Sequence, residues 1–267
     1  MKISVFYNHI QEAEKQTGRS RIDIMKELKA AGIDGVELGY QEYPPLAEFR
    51  QELAECGMEV SSIYRFFHYE TDPDPAAGRE LVEEAAALGC RKIMPIPGFY
   101  LPDVDRETVC QRMVQPLTHL VACAAQKGIS VVMEDFDSTE SPIATSKGMK
   151  WFADRIPGLF YTFDCGNFYY SGEEELSAFD VLRDKILHVH CKDRALAPLH
   201  GEAPLLCPTG ARIYPSPFGS GVIKTGEIMK RLKEIGYDDY LVIEHFGAAN
   251  QMEYMLNSAK WLKEWIG

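Results

Sequence analysis

Ile129-Ser-Val-Val-Met-Glu134 decides the fold. It is a short run of β-branched and apolar residues, preceded by Lys127-Gly128 and closed by a carboxylate. A run of this length suits a buried strand better than a helix. Working outward, the same arrangement returns three times: Leu159-Phe-Tyr-Thr-Phe163 before Asp164, Ile186-Leu-His-Val189 before His190, and Tyr240-Leu-Val-Ile243 before Glu244. Helix-like segments separate the runs. If the strands are parallel and close into a barrel, side chains at their carboxyl ends converge over one mouth, where barrel enzymes carry their sites. Glu134, Asp164, His190 and Glu244 would then share one metal ion.

The rest of the chain repeats the unit. Strand-like segments are expected at Ile3 to Tyr7, Gly35 to Leu38, Met58 to Tyr64 and Lys92 to Ile96. Helical patterns lie near Arg21 to Ala31, Leu46 to Cys56, Asp74 to Leu88 and Arg106 to Lys127. Pro116 within the last predicts a kink or a split. Further helices are expected around 145–155, 173–183, 225–235 and 251–265. Gly32, Gly57, Gly89, Gly128, Gly158 and Gly236 each stop a helix before the next apolar run, as left-handed caps do. Eight such units predict an α/β fold, a (β/α)8 barrel forming one domain over residues 1–267. Only Ala195 to Val222, rich in proline and holding Gly219-Ser-Gly221, breaks the pattern. It reads as an active-site loop.

Composition narrows the function. The 267 residues are 46% hydrophobic, enough to fill a barrel core, and the formal net charge is -12. An acidic surface opposes the phosphate backbone, so no nucleic-acid partner is expected. The apolar stretch Met1 to Tyr7 is too short for a signal peptide or a membrane span, which predicts a cytoplasmic protein with no membrane partner. Seven cysteines, odd in number and without close metal-type pairs, read as reduced core residues. Cys165 and Cys191 adjoin candidate ligands but should point to the opposite face of their strands.

Three carboxylates and one imidazole make an oxygen-rich ligand set. It suits Mn²⁺ first, with Mg²⁺, Co²⁺ and Zn²⁺ as alternatives. The landmarks Val131-Val-Met-Glu134, Phe163-Asp-Cys-Gly-Asn167, His188-Val-His-Cys-Lys-Asp193, Gly219-Ser-Gly221 and Leu241-Val-Ile-Glu244 occur in an order and spacing that resembles the xylose isomerase-like barrel superfamily. That superfamily includes tagatose 3-epimerases, hydroxypyruvate isomerases and inosose-processing enzymes. The resemblance implies that Glu134, Asp164, His190 and Glu244 bind a divalent metal. It also implies that Glu134 and Glu244 act as catalytic acid/base groups on opposite faces of a sugar.

The chemistry is coherent, because a carbon acid beside a ketone yields its proton only when the developing enediolate is stabilised. The expected function is a metal-dependent isomerase or epimerase of a small ketose or related polyol ketone. A lyase acting on a keto-sugar or inosose through the same enediolate is the rival, with Lys192 or His245 as acid. An endonuclease IV-like nuclease and a non-catalytic binding subunit are further alternatives. Against the nuclease stand Asn167 in place of a second histidine and the residues Pro95-Ile-Pro-Gly98 on strand four.

Substrate contacts are expected from Asn167, Lys192, His68, His9 and Phe246. An aromatic wall is expected from Phe66, Phe67, Phe99, Phe136, Tyr169 and Phe246. The epimerase pattern is altered at Asn167, where a histidine is usual, and at Lys192-Asp193-Arg194 with Leu196 beyond it. His188 should lie one layer below His190 as a core histidine. Gly219-Ser-Gly221 reads as a tight turn, with phosphate binding as the weaker alternative. A small-molecule sugar is the expected partner, and a homo-oligomer is compatible with the chain.

Overall fold

The computed structural model describes residues 1–266, so the domain boundary drawn at Gly267 ends just outside the described residues. In chain order the elements are β1 (Lys2–Phe6), α1 (Tyr7–Thr17), α2 (Arg21–Ala30), β2 (Gly35–Gly39), α3 (Leu46–Cys56), β3 (Glu59–Phe66), α4 (Ala77–Ala87), β4 (Lys92–Ile96), α5 (Arg106–Ala125) and β5 (Ser130–Glu134). There follow α6 (Ser146–Ala153), β6 (Leu159–Asp164), α7 (Asn167–Ser171), α8 (Glu175–Leu182), β7 (Ile186–Ala195), β8 (Leu205–Leu206), β9 (Arg212–Ser216), α9 (Thr225–Glu234), β10 (Tyr240–Glu244) and α10 (Gln251–Ile266).

Strands β1 to β7 pair in sequence, and β10 pairs in parallel with both β7 and β1. The sheet therefore closes on itself as an eight-stranded parallel barrel in one domain, as the repeated unit predicts. Alternation along each strand sorts the side chains. Val131, Met133, Val189, Cys191, Leu241 and Ile243 face outward into the core shared with the helices. A second, smaller apolar cluster fills part of the interior with Phe6, Tyr64, Met94, Ile96, Val132, Tyr240 and Val242. Cys165 lies in the outer core beside Cys191, away from the ligand cluster.

Helix stops fall within three residues of the expected glycines, except that α6 ends at Ala153, five residues before Gly158. Gly57 and Gly128 hold φ of 64° and 66°, a left-handed conformation that a side chain would strain. Four expectations need correction. Residues 7–17 form a helix that was not anticipated, and Tyr7 opens it instead of ending the strand. The helix α4 begins at Ala77, because Asp74 accepts the Ala76 N–H in a local turn before it. Pro116 does not split α5, which continues through it. Strand β7 runs six residues beyond Val189, to Ala195.

That extension organises the irregular segment. β9 pairs antiparallel with the end of β7, joining Asp193 to Ser216 and Ala195 to Tyr214, while β8 pairs with β9. The long loop is thus a hairpin folded over the barrel mouth. Its return turn is held by the Asp193 carboxylate, which accepts the N–H groups of Gly219, Gly221 and Ile223 at 3.0, 2.8 and 3.2 Å. With those amides engaged, Gly219-Ser-Gly221 is a turn, and no anion site is built on it. No helix among the described residues is long and apolar enough to cross a membrane.

Candidate active site

Glu134 ends β5, Asp164 ends β6 and Glu244 ends β10, while His190 lies within β7, so the four enter the barrel mouth from three strand ends and the middle of a fourth, longer strand. One potential ligand atom from each lies within 4.8 Å of those of the other three, and all four residues are buried. His190 Nδ1 is 2.6 Å from Glu134 Oε1, 3.0 Å from Glu244 Oε2 and 4.0 Å from Asp164 Oδ2. Asp164 is pinned by one oxygen only: Oδ1 accepts from the Gly166 and Asn167 amides, both at 2.7 Å. Its Oδ2 is buried without a hydrogen bond and faces the cluster. The Asp164 N–H in turn donates to buried Asp135 Oδ1 at 3.1 Å.

Lys192, two residues past His190 on the same face of β7, forms ion pairs with Glu244 and, at 3.5 Å, with Asp164 Oδ2. Asn167 Oδ1 accepts from Lys192 Nζ at 2.8 Å and from Arg194 Nη2 at 3.2 Å, while its Nδ2 donates to the Asp135 carbonyl. Each polar atom of the Asn167 side chain is therefore engaged within the protein. Asn167 holds two cations in place and also lines the cavity where substrate contact is expected of it. Arg194 also pairs with Asp137 at 2.9 Å.

Crowding four carboxylates in a closed space has electrostatic consequences. Burial, reinforced by the neighbouring carboxylates, pushes Asp164 up to about 8, although Lys192 opposes the shift. Glu134 is also raised, by burial and by Glu244, with His190 opposing. Asp135 is driven well above its ordinary range by burial and by Asp164. Glu244 differs: burial works against its charge, but Lys192 and His190 outweigh that and hold it below the usual carboxylate range. For His190 the carboxylates of Glu37 and Glu134 outweigh burial and raise it well above neutral imidazole.

A divalent cation fits this arrangement. The donors are hard oxygens with one nitrogen, Asp164 Oδ2 is buried without a hydrogen bond and is paired with Lys192 only at 3.5 Å, and two carboxylates are pushed toward protonation by burial and by neighbouring negative charge. Added positive charge would relieve all three.

Above the cluster lies a cavity of about 500 Å³. Glu134, Asp137, Asn167, Lys192, Arg194 and Glu244 form its polar side. Phe6, Tyr64, Met94, Ile96, Phe136 and Phe246 form an apolar side, with Phe66 at the rim and Ala203, Leu205, Ile213 and Pro215 of the hairpin segment as roof. Of the expected aromatic wall, Phe66, Phe136 and Phe246 are in place, and Phe99 backs Phe136 at 5.5 Å between ring centroids. Phe67 instead stacks on Tyr69 in the outer core, and Tyr169 packs against that core from the surface.

Lys192 and Phe246 line the cavity as expected, but His9, His68 and His245 do not. His9 falls inside α1, buried; its Nε2 accepts the His245 N–H at 2.9 Å and its ring stacks on that of His245. His245 is buried too and absent from the cavity wall, so it cannot act as the acid considered for it. His68 projects into solvent beside Glu70, 3.2 Å away, off the cavity.

Two residues of the site were missed. Arg194 was passed over because β7 seemed to end at Val189. Glu37, in the middle of β2, is fully buried and bonds His188 Nε2 at 2.7 Å and His190 Nε2 at 3.1 Å. Burial alone would raise it, yet His190 and His188 hold it at about 2. His188, lowered by burial and by Lys92 to about 4, is a neutral ring one layer below His190, as expected. The signal for Glu37 was present: a carboxylate inside a short apolar strand has to be compensated from elsewhere.

Comparison with known proteins agrees with this fold. An inosose dehydratase of Clostridium perfringens is 26% identical over 272 residues, covering 90% of this chain and 88% of that protein. The crystal structure of the probable 3-DHS dehydratase AsbF of Bacillus anthracis superposes with a TM-score of 0.76 at 21% identity, covering 98% and 99% of the two chains. The IolI protein, solved with a bound zinc atom, superposes at 0.73 and 17% identity, covering 100% and 98%. Residues 25–265 match the family model described as xylose isomerase-like TIM barrel. With closed barrel, convergent ligand cluster and family match in agreement, the chain belongs to the xylose isomerase-like TIM-barrel family.

Proposed function

We propose that this protein is a divalent-metal-dependent enzyme that removes a proton beside the ketone of a cyclic keto-polyol and expels a β-hydroxyl as water. One observation carries the reading: the two glutamates are not equivalent. Glu134 is ion-paired only to His190, whereas Glu244 is ion-paired to both His190 and Lys192. A carboxylate that carries no lysine ammonium is the stronger base and the better proton carrier. The symmetric two-base inversion expected of an epimerase is thereby disfavoured, and a one-base reaction is favoured.

Glu134, Asp164, His190 and Glu244 would hold the ion, which when bound supplies Lewis-acid stabilisation of negative charge on the substrate's oxygens. Glu134 takes the α-proton, breaking C–H. The electron pair becomes the new C=C bond as the β C–O bond breaks, and the proton leaves with the hydroxyl as water. Lys192 and Arg194, locked by Asn167, present fixed positive charge to substrate oxygens. The apolar side of the cavity suits the C–H face of a ring. Support for elimination comes also from the dehydratase relative at 26% identity. Mn²⁺ is our first choice of ion; the zinc-bound IolI neighbour supports a divalent metal in general.

Isomerisation is the second reading, supported by the way Glu134 and Glu244 flank His190; there Glu134 would return the proton to the neighbouring carbon. A pair of variants tests the one-base proposal. Glu134→Gln should lower turnover about 10²- to 10⁴-fold, the usual worth of acid-base catalysis, and abolish exchange of the α-proton with D₂O. Glu244→Gln should lower metal affinity and retain exchange once metal is saturating. Equal loss of exchange in both variants at saturating metal would defeat the proposal.

A further inference from the structure

Glu37 has no lysine or arginine partner. Its fully buried carboxylate is compensated by two imidazoles, one of which belongs to the ligand cluster. It reaches His190 from β2, with β10 and β1 lying between β2 and β7 around the barrel. Its other oxygen holds His188, whose remaining nitrogen Nδ1 is buried without a hydrogen bond. The strand Gly35-Val-Glu-Leu-Gly39 is buried along its whole length, so Glu37 has no alternative conformation in water.

We infer that Glu37 is a positioning residue that selects the metal-binding form of His190: its carboxylate accepts the Nε2 proton, leaving Nδ1 as the lone-pair nitrogen facing Glu134, Asp164 and Glu244. The inference rests on the metal site proposed above. A carboxylate is the one common side chain that accepts without donating. Each imidazole it touches must therefore present N–H, and for a neutral histidine this places the lone pair on the far nitrogen. Nε2 lies 3.1 Å from Glu37, while Nδ1 faces Glu134, Glu244 and Asp164 at 2.6, 3.0 and 4.0 Å and is hydrogen-bonded to Glu134 through a proton whose place a bound ion would take. An acceptor behind a metal-bound histidine also raises the basicity of the ligating nitrogen. An amide at position 37 would bring a donor to the same place and stabilise the opposite tautomer, with the proton on Nδ1.

The experiment compares the wild type with Glu37→Gln and Glu37→Asp. Mn²⁺ affinity is measured by competition with a fluorescent chelator, and the histidine ¹⁵N resonances are recorded in the zinc-loaded proteins. The expected result is metal affinity about 10- to 100-fold weaker in Glu37→Gln, with partial recovery in Glu37→Asp, which keeps the acceptor. In the wild type His190 should ligate through Nδ1 and carry a slowly exchanging Nε2 proton. Wild-type affinity in Glu37→Gln, or ligation through Nε2, would overturn the inference and leave the proposed function intact. A wild type that binds neither Mn²⁺ nor Zn²⁺ would overturn both. Should the variants fail to fold, the wild-type ¹⁵N pattern decides alone.

Discussion

Single residues define the site through what surrounds them. Asp164 is anchored by one oxygen to two backbone amides and offers the other to the cluster, so a change that keeps the anchor but removes charge is informative. Asp164→Asn and His190→Ala should both lose stoichiometric metal, the first through charge and the second through the nitrogen donor. Elemental analysis after dialysis checks this, and metal retained in both variants would refute the four-residue assignment. These positions were legible in the sequence because each stands just after, or inside the face of, a strand run. His9 was misplaced for a related reason: the chain turns helical at Tyr7, and that single-residue shift moves His9 from the mouth into the core. Glu37 went unnoticed because a lone acid between glycines does not reveal which distant ring it will meet.

At the scale of elements, the hairpin over the mouth has its own fastening. Glu202 accepts the N–H groups of Leu199 and His200, each at 2.9 Å, and the Tyr254 hydroxyl at 2.8 Å, tying residues 199–202 to α10. Burial would raise this carboxylate, but the amides and the hydroxyl bring it down to about 2. Because the folded value lies below the unfolded one, the stabilisation is complete above roughly pH 4.3. It fades as the pH falls toward 2. Hydrogen exchange over residues 196–216, taken relative to the intrinsic exchange rate at each pH, should therefore accelerate across that window, and Glu202→Gln should reproduce the acceleration at neutral pH. With bonds to a charged acceptor worth about 1.5–3 kcal/mol, the increase should reach one to two orders of magnitude. Exchange indifferent to both changes would show that the hairpin is held elsewhere. The segment was read as an active-site loop without strands, since β8 spans only two residues and β9 contains Pro215, both poor strand signals.

The whole molecule couples folding to the ion. Four donors from β5, β6, β7 and β10 come together only in the closed barrel, so metal should bind the native state and stabilise it. At about 100 times the dissociation constant the gain is about 2.7 kcal/mol. For a chain of this size that amounts to a rise in Tm of roughly 5–10 °C. Calorimetry with and without Mn²⁺ checks it, and the rise should vanish in His190→Ala. The barrel as a whole was readable because eight apolar runs and their glycine stops report local preferences, and closure follows from them. The chemistry was less so, because the inequality of Glu134 and Glu244 depends on where Lys192 points in three dimensions.

The proposed reaction is tested most directly by incubating the metal-loaded protein with an inosose in D₂O and following product by NMR and mass spectrometry. The account predicts loss of one water to give an unsaturated ketone, dependent on added metal. A substrate recovered with its mass unchanged and without deuterium beside the ketone, at saturating metal, would contradict it, whereas deuterium uptake without water loss would transfer the site to isomerisation.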